Sequence, residues 1–60
     1  MYRVIDTDTN TILNSSDTLW DITDKYLDIV LKLDKDNPKR TAIKVYGWMP
    51  YRKYWSEINL

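Results

Sequence analysis

The chain has 60 residues, enough for one domain, and a chain this short buries only about 60% of its unfolded surface. Its formal net charge is zero, and it contains neither Cys nor His. Disulfides, thiolate or imidazole metal sites and the commonest general base are therefore excluded. Stability must come from a well-filled core or from oligomerisation, and three Trp and five Tyr favour the core.

Charge is unevenly spread along the chain. Residues 1–36 hold eight Asp against Arg3, Lys25, Lys32 and Lys35, whereas residues 37–60 hold Lys39, Arg40, Lys44, Arg52 and Lys53 against Glu57. Either the two halves neutralise each other across the fold, or the domain has an acidic face and a basic face. The N-terminus is acidic and alternating, without a basic-then-apolar leader, and the longest apolar run is three residues, Ile29 to Leu31. The expectation is a cytoplasmic protein without membrane contact. Frequent Asp, Ile, Asn, Lys and Tyr suit an AT-rich genome, such as that of a low-GC bacterium or one of its phages.

In chain order, Tyr2–Ile5 and Thr11–Leu13 read as two strands joined by the polar turn Asp6–Asn10, with Asn14–Asp17 as a break. Asp17–Leu33 reads as an amphipathic helix, with Leu19, Ile22, Tyr26, Ile29, Val30 and Leu33 at steps of three and four. Trp20, Leu27 and Leu31 widen its apolar arc, and Trp20 and Tyr26 are expected in the core. Ser16 or Asp17 is the expected N-cap. Asp34–Arg40 reads as a loop, because Asn37 before Pro38 disfavours helix. Thr41–Tyr46 alternates as a half-buried strand, which Gly47 is expected to end or kink.

The last segment fits two templates. Tyr51, Tyr54, Trp55 and Ile58 stand at helical spacing, yet residues 51–58 also alternate, and their aromatic richness favours a strand. The predicted fold is α+β, in the order β-β-α-β-β. One amphipathic helix packs on one face of a small antiparallel sheet, with the last element open between strand and short helix.

No arrangement of residues points to catalysis. Ser15, Ser16 and Ser56 have no histidine to activate them, and a single glycine rules out a phosphate-cradling loop. Asp6 and Asp8 lack the glycine and distal glutamate of a calcium loop. Asp21, Asp24 and Asp28 share a helix face with lysines, so they read as a solvated, secondary acidic surface. Neither enzyme activity nor a cofactor or metal is expected.

The segment with functional character is Tyr46–Trp55, where five of the eight aromatics fall in ten residues beside Arg52 and Lys53. Trp, Tyr and Arg dominate binding hot spots. The expected partner-binding residues are Trp48, Tyr51, Arg52, Lys53 and Tyr54, with Trp48 foremost because the Gly47–Pro50 break leaves a large ring hard to bury. Trp55 is expected to be largely buried. The favoured function is a non-catalytic protein-interaction module, in its concrete form a phage- or mobile-element-encoded modulator or inhibitor of a host enzyme. The alternative is a single-stranded nucleic-acid-binding module using the same aromatic and basic residues. Homodimerisation is compatible with an edge strand ending in Ile58 and Leu60.

Overall fold

The computed structural model describes all residues, 1–60. Its elements are β1 (Tyr2–Asp6), β2 (Thr11–Ser16), α1 (Leu19–Leu31), a short α2 (Lys39–Ala42), β3 (Ile43–Met49) and β4 (Tyr54–Ile58). The four strands form one antiparallel sheet in the order β2-β1-β3-β4. The order of elements matches the predicted α+β fold, with α2 as a one-turn addition.

Strand alternation sorts residues onto two faces. Val4, Val45 and Ile58 share a row on the helix side, followed by Asp6 and Ile43. Val4, Ile22, Val30, Ile43 and Val45 form the core, with Tyr2, Tyr26, Ile29, Leu33 and Ile58 packed around it. The other side of the sheet is covered by no element. One helix over four strands leaves half of every strand's side chains without a partner layer.

Both hairpins close with four-residue loops whose last residue is left-handed, Asn10 (φ 55°) and Lys53 (φ 55°). Asn tolerates that region, whereas Lys bears strain there. The second turn is Pro50–Lys53, closed by the Lys53 amide donating to the Met49 carbonyl at 2.7 Å. Hence residues 51–53 are loop, and the strand among the two templates begins only at Tyr54.

Several boundaries differ from expectation for local reasons. β2 runs on through Asn14 to Ser16, because Val4, Arg3 and Tyr2 continue to pair with Asn14, Ser15 and Ser16. Thr18 is the N-cap, its hydroxyl accepting from the Asp21 amide at 3.3 Å, while Ser16 accepts from the Thr18 amide and donates to the Asp21 carboxylate at 2.6 Å. Thr41 and Ala42 belong to α2 rather than to β3. The Thr7 amide and hydroxyl both donate to the Ala42 carbonyl, at 2.9 and 2.8 Å, and so pin this turn to the first hairpin. Arg40 donates twice to the Leu33 carbonyl, at 3.0 and 2.6 Å, which ties α2 to the end of α1.

Gly47 neither ends nor kinks β3. It sits directly opposite Tyr2, and a Cβ there would lie 3.1 Å from Ile58 Cδ1 and 3.2 Å from Tyr2 Cε1. The missing side chain makes room for the Tyr2 ring and lets the strand continue to Trp48 and Met49.

Trp20 is not in the core but 71% exposed. α1 lies over β2, β1 and β3, and this contact buries only the stripe around Ile22 and Val30. Trp20, Leu27 and Leu31 fall on a shoulder beyond it, all exposed. Tyr26 is half-buried against the core.

Candidate binding face on the open side of the sheet

The uncovered side of the sheet carries Ile5, Arg3, Lys44, Tyr46, Trp48, Trp55 and Glu57. Registry places Ser15, Arg3, Tyr46 and Glu57 in one row, Ile12, Ile5 and Lys44 in the next, and Trp48 opposite Trp55. The two tryptophans pack with ring centroids 5.4 Å apart and planes tilted by 59°. Across β3, the Arg3 guanidinium carbon lies 4.0 Å from the Trp55 ring centroid. Such a stacked cation is worth about 0.5–1 kcal/mol at an exposed site. Lys44 and Glu57 pair at 3.9 Å at the edge of the cluster.

The expected site residues are only partly brought together. Trp48 lies on the open face and is 39% exposed, inside a strand rather than in a break. Tyr51, Arg52 and Lys53 project from the β3–β4 turn, with Tyr51 fully exposed. Tyr54 pairs with Met49 and therefore points to the opposite face from Trp48 and Trp55. Trp55 is half-buried rather than largely buried, its cover being Trp48 and Arg3. Sequence reasoning missed Arg3, which is 52 positions away from Trp55 along the chain. The signal that would have found it is register: once Gly47 is opposed to Tyr2, Arg3 and Tyr46 are adjacent.

The acidic groups lie elsewhere. The Asp21 carboxyl is held below its ordinary value, first by the Ser16 hydroxyl and then by Lys25 at 3.2 Å. Asp28 pairs with Lys32 at 3.2 Å, and Asp24 has no ion pair. Asp6 and Asp8 converge on the Lys39 ammonium, at 2.6 and 3.6 Å, which fills the space between the two carboxylates. That hydrogen bond lowers the Asp6 pKa and raises that of Lys39. Lys39 makes the only ion pairs that join the two charge halves. Elsewhere charge stays segregated, with six Asp and three Lys in residues 17–36 on the helix side, and Arg3, Lys44, Arg52 and Lys53 at the open face and its rim.

One depression of about 160 Å³ lies between Tyr26, Ile43, Val45, Ile58 and Leu60. It is smaller than the several hundred Å³ usual for a small-molecule site. No helix is long and apolar enough to cross a membrane.

What these features define is a small α+β domain with one covered and one open sheet face. No protein-family model, curated protein or solved structure matches the chain.

Proposed function

We propose that the protein is a non-catalytic, cofactor-free binding module whose open sheet face docks another protein. The observation that carries this is the Trp48–Trp55 pair with Arg3 stacked on it, on a face that nothing else covers. Trp and Arg are the residue types that most often anchor an interface. Their mutual packing holds the rings before the partner arrives, which lowers the entropy cost of binding. Arg52 and Lys53, next to the exposed Tyr51, form a cationic rim. The fitting partner surface is apolar at its centre and acidic at its edge. The concrete form remains a modulator of a host enzyme, encoded by a phage or mobile element and acting in the cytoplasm. Its support is the small size and AT-type composition of the chain.

Charge segregation favours a second reading, single-stranded nucleic acid on the same face. Against it, base stacking needs a free flat ring, and the Arg3 guanidinium occupies one face of Trp55. The expected effect of Trp48→Ala is a loss of partner affinity of more than about 1–2 kcal/mol with the fold retained. Affinity capture with both proteins as bait, followed by titration of the captured partner, measures it. Loss of folding in that variant would instead make Trp48 a structural residue. Tryptophan quenching by single-stranded oligonucleotides, with a log–log salt slope of about −2 or steeper, would replace the protein reading by the nucleic-acid one.

A further inference from the structure

The two edges of the sheet are unequal. β2 carries a register shift between Val4 and Ile5 of its neighbour, a bulge of the kind that blunts an edge against pairing. β4 has no bulge, no proline and no lysine among its residues. The direction of its free backbone groups follows from β3. The Trp48 amide donates to the Met1 carbonyl at 3.0 Å, so the polar groups of Trp48 face β1. By alternation, those of Val45, Gly47 and Met49 face β4 and meet Ile58, Ser56 and Tyr54. The N–H and C=O of Trp55 and Glu57 therefore point outward from the sheet.

We propose that β4 pairs with β4 of a second copy, antiparallel about a two-fold axis at Ser56. The two open faces then join into one surface with two Trp48–Trp55–Arg3 clusters.

The register follows from self-complementarity. With the axis at Ser56, Trp55 opposes Glu57 of the other copy, and the outward groups of both exchange their hydrogen bonds. Glu57 is thereby brought alongside the Trp55–Arg3 stack of its partner, acid beside cation. On the helix side, Tyr54 opposes Ile58, an aromatic and β-branched pair of the favourable kind. An axis at Glu57 would oppose two like charges. An axis at Trp55 would oppose Glu57 to Lys53, whose backbone is left-handed and whose amide is already donated to Met49.

One strand pair buries much less than the ~800 Å² per partner of a standard interface, so the dimer is weak and concentration-dependent. It stands independently of what the open face binds.

Ser56→Cys tests it. Across the axis the residue forms a non-hydrogen-bonded pair with Cα atoms about 4.5 Å apart, within disulfide range. With no native cysteine, any disulfide joins the two introduced residues, and its rate relative to a control position reports the contact. The expected result is cross-linking in a glutathione redox buffer at least about tenfold faster than for Ser15→Cys on the β2 edge. Sedimentation equilibrium of the unaltered protein should show a dimer fraction that rises with concentration to several hundred micromolar. Glu57→Pro, which removes an outward N–H, should stay monomeric, whereas Glu57→Gln should not. Equal cross-linking at positions 56 and 15, or a strictly monomeric unaltered protein, would overturn the proposal. If Ser56→Cys does not fold, sedimentation decides alone.

Discussion

On its helix side the sheet presents short β-branched side chains, Val4, Ile43 and Val45, which the single helix seals with Ile22 and Val30. On its open side it presents long side chains with polar ends, Arg3, Lys44, Tyr46, Trp48 and Trp55, of which Arg3, Trp48 and Trp55 pack on one another and not on a second layer. Both sides are apolar in bulk. The difference is that compact aliphatics need a cover to leave water, whereas Trp, Tyr and Arg can shield each other's apolar parts while their tips stay hydrated. A 60-residue chain can thus hold its fold with one face and leave the other open.

The largest expected effect breaks the covered side. Ile22 is wholly buried at the centre of the core. Ile22→Ala should cost about 2–5 kcal/mol, which for a domain this small approaches its whole stability. Urea or thermal unfolding measures it. A cost under about 1 kcal/mol would mean that the helix is not what seals this face.

A subtler break concerns Asp6, the only buried charged side chain, 7% exposed and held by Lys39. Its native pKa is lowered from 3.8, chiefly by the Lys39 hydrogen bond. A lowered carboxyl pKa stabilises the fold fully above the ordinary value, and that contribution is lost as pH falls through the native one. Asp6→Asn should therefore be less stable than the unaltered protein near about pH 7, and the two should converge toward about pH 2. The lowered Asp21 carboxyl acts equally in both proteins, so the difference isolates Asp6. Denaturant curves at both pH values give the answer. A gap independent of pH would assign the role of Asp6 to its bond from the Asp8 amide at 3.1 Å rather than to its charge.

How far the sequence reveals this division differs between the two faces. The helix, the first hairpin and the side of Ile43 and Val45 follow from periodicity, because spacing within one element is a local property. The open face is assembled from strands at opposite ends of the chain, and only pairing shows that Arg3 meets Trp55. Aromatic density pointed to Trp48 but not to the opposite orientation of Tyr54, since that depends on where the turn ends. Placing the turn at Gly47–Pro50 rather than Pro50–Lys53 shifts it by three residues and scrambles which side chains share a face.

Trp20 gives the smallest expected effect and the sharpest contrast among the three tryptophans. Apolar spacing places it on the helix's apolar arc, yet that arc is wider than the contact one helix can make with β2, β1 and β3. As it is exposed in the second position of α1, Trp20→Ala removes little buried area and substitutes a better helix former. The stability change should lie within about 0.5 kcal/mol of zero, and the emission lost should be the most red-shifted component of the spectrum. Trp55→Ala, by comparison, should remove emission from a ring shielded by Arg3 and Trp48. A cost of 2 kcal/mol or more for Trp20→Ala would show that the helix shoulder formed with Leu27 and Leu31 is covered in solution, a range typical of buried apolar side chains. The contrast between a sealed and an open side would then have to be redrawn, with the shoulder as a second interface.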